Sequence, residues 1–365
     1  MGMKKDDILF QCLRSALWKQ PLTEGAIRNK DDYDALMAKA HKQAVPGMVT
    51  KAFMDNNTPL GLQITSEVFS MSRNVARRNH ILDGEVMALC ELLDAHDVKY
   101  VVVKGQTLNA VYPAQGVRSP GDIDFYCDGE NFDRAKDIIS KNWNVEFDVN
   151  ESEQHQAFSH HGVEFEMHFN LIIFFSRGIQ NFWNGLLKER TEAFVDIRDT
   201  RVPTLEPTLN VLYTFMHLYH HFVELGVGLR QFCDLAVLLH AYRKEIDGDR
   251  LNAWLKGMDY LRAFAAVEWI LVDVLGMDAE DCQVAVSERD KRYEKAMMEV
   301  VLSGGNFGFY ARKNKTRSGK AYFIESAFKK LSLYFRFFPL SKRETTAMLL
   351  KEFPTKVYMA VTGKI

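Results

Sequence analysis

Cysteine is scarce in this chain and shows no pairing pattern. The five residues Cys12, Cys90, Cys127, Cys233 and Cys282 are scattered through 365 positions. None stands at C-x-x-C spacing and the number is odd, which excludes a disulfide scaffold or a cysteine zinc knuckle. They read as reduced thiols of a cytoplasmic protein. Proline (9) and glycine (22) are also few, while 47% of residues are apolar and 26% charged. That balance excludes disorder over most of the length. Long uncharged apolar runs are missing: the greasiest stretch, 261–277, is interrupted by Arg262, Glu268 and Asp273, so no transmembrane span is expected. The opening M-G-M-K-K-D-D lacks the apolar core of a secretory signal, and no internal repeat is visible.

What is present is enough chain for two or three subdomains, and a lopsided charge. The formal net charge is -2, yet residues 311–365 hold thirteen Lys/Arg against three Asp/Glu, a local +10 that leaves -12 for the rest. In R-K-N-K-T-R-S-G-K and F-K-K-L-S-L-Y-F-R-F-F-P the basic residues interleave with aromatics. Such a segment fits a helix packed on the core with lysines outward. It also fits an anionic partner, whether nucleic acid or an anionic lipid surface.

The residue pattern divides the chain into four parts. Residues 1–96 read as helical, with Leu9, Cys12, Leu13, Ala16 and Leu17 on one face and breaks at Pro21, Pro46-Gly47 and Asn56 to Gly61. Residues 97–205 read as a small α/β core. It has strands at Lys99–Lys104, Asp122–Cys127, Val145–Val149 and Val163–Phe169, a helix around Phe132 to Ile139, and a histidine-rich turn between the last two strands. Residues 206–302 are helical again, and 303–365 form the basic segment. The fold class is therefore α+β, a small mixed sheet flanked by N-terminal and C-terminal helical segments.

The chemistry concentrates in G-D-I-D-F-Y, residues 121–126. A strand alternates its faces, so Asp122 and Asp124 point the same way, about 6.6 Å apart, while Ile123 and Phe125 face the core. Like charges so placed repel unless a cation lies between them, and Mg²⁺ is a hard ion commonly held by carboxylates and phosphates. Two acids on a solvent-facing strand would show the same D-x-D. V-E-F-E-M-H-F (163–169) adds to the signal: it alternates strictly, with Glu164, Glu166 and His168 on one face. Beside the first strand it would bring a third carboxylate to the pair.

V-V-V-K-G-Q-T-L, V-Y-P, R-S-P-G-D-I-D-F-Y and V-E-F-E-M-H-F, in that order, resemble the uncharacterised nucleotidyltransferase family of the DNA polymerase β-like superfamily. N-H-I-L-D-G-E-V-M-A-L-C-E-L-L upstream, then L-Y-T-F-M-H-L-Y-H-H, L-R-Q-F-C-D-L-A-V-L-L and G-G-N-F-G downstream, extend the likeness over roughly residues 75 to 308. The resemblance implies a nucleotidyltransferase core at 97–205 and transfer of an NMP group from an NTP donor to an unknown hydroxyl acceptor, with release of pyrophosphate. Two Mg²⁺ ions, or Mn²⁺ in their place, would be held by Asp122, Asp124 and Glu166. Lys104 and Gly105 would end the first core strand beside the triphosphate, and Lys104 and Arg118 would neutralise phosphate charge. Where the superfamily usually has Gly-Ser, this chain has Gly105-Gln106, and Thr107, the nearest hydroxyl, is the one expected to bind the nucleotide.

His217 and His221 stand four apart in a helical run, but Leu218 follows His217, so the glutamate of a zinc-protease H-E-x-x-H is missing. One face of this helix is expected instead to cover the nucleotide site, with His217 hydrogen-bonding a phosphate or the Arg230–Asp234 region. Two other readings stay open: a glycosyltransferase whose D-x-D holds a sugar nucleotide, and a non-catalytic nucleotide- or partner-binding module of the same fold.

Overall fold

The computed structural model describes residues 7–114, 116–148, 152, 154–224, 226–285, 288–311, 319–352 and 354. The chain opens with four helices. In α1 (Ile8–Trp18) the Asp7 carboxylate caps the Leu9 amide at 3.0 Å, and Leu9, Cys12, Leu13, Ala16 and Leu17 form the buried face. Asn29 caps α2 (Lys30–Lys42) in the same way. Pro46 occupies the first turn of α3 (Pro46–Asp55), where its missing N–H costs nothing. The long α4 (Leu62–Asp94, 33 residues) then runs about 50 Å behind the sheet.

The sheet is built from β1 (Val101–Val103), β2 (Ile123–Tyr126), β3 (His155–His160) and β4 (Val163–His168), in the order β1-β2-β4-β3. Strands β1 and β2 are antiparallel, β2 and β4 parallel, and β4 and β3 an antiparallel hairpin. Two helices interrupt these strands: the short α5 (Gly105–Asn109) after β1, and α6 (Gly129–Trp143) in the β2-to-β4 crossover. Ile123, Phe125, Phe165 and Met167 point to the back of the sheet and bury against Val86 and Leu89 of α4 and Ala135 and Ile139 of α6. This is the mixed open sheet flanked by helices that the residue pattern implied.

One expectation is corrected. Residues 145–148 are not a strand, and 149 lies outside the described residues. The strand is the histidine-rich stretch itself, β3, joined to 145–148 where the Asp148 amide donates to Ala157 O at 2.8 Å and where the Phe147 and Phe158 rings meet. Its polar letters hid the pattern, because β3 is the sheet's edge and anchors mainly through Phe158, stacked on Phe165 with centroids 4.8 Å apart. A second hairpin, not foreseen, follows α7 (Arg177–Lys188). It comprises β5 (Glu192–Ile197) and β6 (Thr200–Leu205), and Thr204 Oγ1 donates to Val102 O of β1 at 2.8 Å.

The remaining helices are α8 (Pro207–Glu224), α9 (Leu229–Ala241), α10 (Gly248–Gly257), α11 (Leu261–Asp273), α12 (Glu288–Gly304), α13 (Gly319–Arg336) and α14 (Lys342–Ala347). Helix α8 is apolar nearly all round, so it must be enclosed; Tyr213, Phe215, Tyr219 and Phe222 are fully buried in the larger core. The described part of the basic segment packs on it. Leu333, Tyr334 and Phe337 are buried, and Lys330 Nζ meets Glu224 of α8 at 2.7 Å. Phe328 and Phe335 of α13 stay exposed, at 70% and 59%. The stretch R-K-N-K-T-R-S at 312–318 lies outside the described residues. Among the described residues, no helix is long and apolar enough to cross a membrane.

Helix α3 fixes the loop that enters the site through Gly47. A Cβ there would lie 2.4 Å from Val117 O and 3.1 Å from Val75 Cγ1. Gly47→Ala is expected to destabilise the fold by about 1–3 kcal/mol, as overpacking against backbone does. Urea unfolding checks this, and a midpoint equal to wild type would refute the packing account.

Candidate functional site

The parallel register sets Asp124 beside Glu166 on neighbouring strands, and Val103 of β1 opposite Asp124. Asp122 lies two residues before Asp124, ahead of the strand. One ligand oxygen from each of Asp122, Asp124 and Glu166 lies within 4.8 Å of the others. Asp124 is buried, Glu166 half-buried and Asp122 exposed. His155 and His168, opposite one another on β3 and β4, extend the group: together with Glu166 they form a second set of converging ligand atoms.

Asp124 already has cationic company. Lys104 Nζ lies 2.6 Å from Asp124 Oδ1, and His168 Nε2 hydrogen-bonds the same oxygen at 2.9 Å. Burial works to raise the Asp124 carboxyl, but Lys104 and His168 outweigh it and hold the group well below the usual carboxylate range. For His168 burial opposes protonation, and Asp124 with Glu166 (3.4 Å from Nε2) overcomes it and raises the imidazole. Asp122 is the poor relation. The Asp124 charge, with burial, lifts its carboxyl above the ordinary value, and Lys104 only partly offsets this.

Backbone geometry at the end of β1 is unusual. Lys104 has φ 56° and ψ −146°, and Gly105 has φ +40° with Asp122 O only 3.3 Å from where a Cβ would sit. The glycine is therefore needed for both conformation and approach. A non-glycine residue held as Lys104 is costs about 1–3 kcal/mol, and such outliers gather at functional sites. Thr107 secures this turn, its hydroxyl donating to Lys104 O at 2.7 Å. Gln106 reaches the other way, to Asp83 and to Asn79 O of α4.

Lys104, Gly105, Arg118, Asp122, Asp124, Glu166 and His217 all line one cavity of about 310 Å³. Thr107 does not: it is buried and tied to the turn. Arg118 reaches the cavity already occupied, its Nε and Nη2 on the two oxygens of Asp234 at 2.8 and 2.9 Å, with the Tyr112 hydroxyl on the same carboxylate at 2.8 Å. His217, His220 and His221 form the α8 wall. Burial, then the charge of Lys104, drives His217 well below its ordinary value, and burial brings His220 and His221 to about 4, so these three imidazoles are neutral.

Arg230, expected only as part of a region within reach of His217 and not as a phosphate ligand, opens onto the cavity beside Gly121. Its Nη1 donates to Ser119 O at 3.1 Å, while its buried Nε has no partner among the described residues. Burial and the neighbouring Arg118 lower its hold on the proton. A clue was available: a cation in the first turn of α9 opposes the helix dipole, an arrangement that needs a reason.

The model of a family described as "uncharacterised nucleotidyltransferase" matches residues 29–276. The match begins upstream of residue 75 and stops short of G-G-N-F-G at 304–308. A comparison with curated proteins finds no match. Among solved structures, the chain is similar to an antigenic nucleotidyltransferase-like protein from Paracoccidioides brasiliensis at 13% identity and a TM-score of 0.34, covering 54% of this chain and 93% of that one.

Two outcomes follow from the charges. Asp122 has a raised pKa in the folded state, so its ionised form weakens the metal-free protein as pH rises through that pKa. Asp122→Asn should therefore stabilise the protein in EDTA at pH 7, by at most about 0.5 kcal/mol because the carboxylate is solvent-open. The gain should vanish under acid conditions where Asp122 is protonated, as thermal melts at several pH values would show. Asp234→Ala strands the buried Arg118 and should cost about 3–5 kcal/mol in urea unfolding.

Proposed function

The chain belongs to the uncharacterised nucleotidyltransferase family, and on that premise we propose that it is a Mg²⁺-dependent enzyme transferring an NMP group from an NTP to a hydroxyl acceptor. The observation that carries this reading is the convergence of Asp122, Asp124 and Glu166 across the parallel β2–β4 pair, at a cavity supplied with Lys104 and Arg230. The donor set fits the ion: the three acids offer hard oxygens, and the raised carboxyl of Asp122 marks negative charge left uncompensated. Asp122, Asp124 and Glu166 would hold Mg²⁺, or Mn²⁺ in its place. When bound, such ions supply charge neutralisation at the attacking and leaving oxygens of an in-line displacement.

This chain's own residues do the rest. The Gly105 turn lets phosphate approach backbone closely, and Lys104 and Arg230 supply cations for the triphosphate. Arg118, locked on Asp234, acts as an anchor for the loop that carries Asp122 and lends its charge at a distance. The neutral imidazole of His217 can donate to a phosphate oxygen from the α8 wall. Glu166, open to the cavity, takes the proton of the acceptor hydroxyl as its oxygen bonds to the α-phosphorus and the bond to pyrophosphate breaks. The acceptor is some hydroxyl compound, whether small molecule, protein or RNA.

A second reading, a nucleotide-binding module without turnover, draws on the Lys104–Asp124 ion pair, which neutralises one acid of the set without a metal. The glycosyltransferase reading leaves Glu166's place beside Asp124 unused.

Calorimetric titration of ATP, GTP, CTP and UTP with and without Mg²⁺, on wild type and Asp122→Asn/Asp124→Asn, tests the proposal. One NTP should bind only with Mg²⁺, and the double variant should lose it. Pyrophosphate release over an acceptor panel should fall by at least about 100-fold in Glu166→Gln. Binding without pyrophosphate release favours the module, and no NTP binding by folded wild type sinks the transferase.

A further inference from the structure

The hairpin turn between β3 and β4 carries a second convergence of ligating atoms. His161 (φ 49°) and Gly162 (φ 75°) form a two-residue turn with both residues left-handed, closed by the His160–Val163 pair. The turn aims two adjacent imidazoles at one carboxylate of α4. His160 Nδ1 lies 2.7 Å from Glu85 Oε2, and His161 Nδ1 lies 2.9 Å from Glu85 Oε1. None of the three lines the catalytic cavity.

We propose that Glu85, His160 and His161 form a binding site for a zinc-class divalent cation, separate from the acidic cluster. One ligand atom from each lies within 4.8 Å of the others. Two imidazole nitrogens and one carboxylate suit Zn²⁺ better than Mg²⁺, which prefers an all-oxygen set. A tetrahedral zinc sphere with bonds of about 2.0–2.2 Å spaces its donors about 3.4 Å apart, so the nitrogens need retreat only a little from Glu85. Two of the three ligands are held in place before any ion arrives. Glu85 is buried to 9% exposure in α4, and the His160 ring stacks on Trp143 with centroids 4.1 Å apart and planes 8° apart. The third is free to adjust: the His161 side chain is 71% exposed, which also leaves a coordination position for water.

Binding there would tie α4 to the hairpin whose second strand, β4, carries Glu166 and His168. The ion would act as a clamp on the outer half of the sheet, remote from the acids it steadies.

Zinc alone is the probe, titrated calorimetrically into the full chain with Co²⁺ absorption as a second readout. The variants are His161→Asn, whose asparagine tolerates the left-handed turn and preserves the fold, and Asp122→Asn/Asp124→Asn. An unchanged metal-free Tm for His161→Asn certifies that it is folded. One equivalent of Zn²⁺ should bind wild type and the double aspartate variant alike, raise Tm in both, and bind His161→Asn at least tenfold more weakly. No binding in the micromolar range would overturn the proposal. So would binding that His161→Asn leaves unchanged, which would place the ion at His155, Glu166 and His168 or among the cleft acids. These outcomes are independent of whether any NTP binds.

Discussion

The parallel ladder between β2 and β4 is the constraint on which the rest of the molecule turns. Neighbouring strands sit about 4.8 Å apart, so pairing Asp124 with Glu166 brings their carboxylates close whatever else happens. A one-residue slip of β2 would send Asp124 into the apolar back of the sheet and Phe125 into the cleft, and a slip of β4 would do the same to Glu166 and Phe165. Burial of those two phenylalanines against α4 and α6 therefore fixes the chemistry on the front as firmly as any contact there. Helix α8 then closes the front with neutral histidines, so no fixed cation on that wall competes for the acids.

Charge in the cleft is distributed unevenly, and that unevenness has a use. Asp124 is satisfied twice over by Lys104 and His168, while Asp122 faces its neighbour's charge with little help. A fully neutralised cluster would gain nothing from a divalent ion, and a wholly uncompensated one would be hard to fold. Lys104 sits between these extremes, held in a costly backbone conformation beside a glycine that nothing larger could replace. Elsewhere in the cavity lining, Arg118 and Arg230 divide the labour. One is locked to Asp234, and the other keeps an unpartnered donor.

Much of the sheet was legible because apolar and polar residues alternate with period two in V-E-F-E-M-H and D-I-D-F. The helices of the first ninety-six residues were legible for the matching reason of three- and four-residue spacing. Strand β3 was not, since an edge strand with one anchoring phenylalanine reads like a polar turn. Thr107 looked like a phosphate ligand because its hydroxyl follows Gly105 by two positions, and the sequence hides that this hydroxyl donates back to Lys104 O. The fate of Arg118 depends on Asp234, 116 positions away, and a local pattern carries no trace of such a partner. Arg230 left a faint mark as a misplaced cation at a helix start.

The ion pair between Lys330 and Glu224 has a consequence in time as well as space. Glu224 lines the cavity and Lys330 meets it from α13, so the site's outer boundary is drawn by a segment made long after the sheet. At a synthesis rate of about 5–20 residues per second, the ribosome needs on the order of 5–20 s to pass from one to the other. During that interval the nascent chain holds all three acids and the α8 histidines, with Glu224 still open to water. The outer edge of the cleft therefore cannot close until α13 has been made.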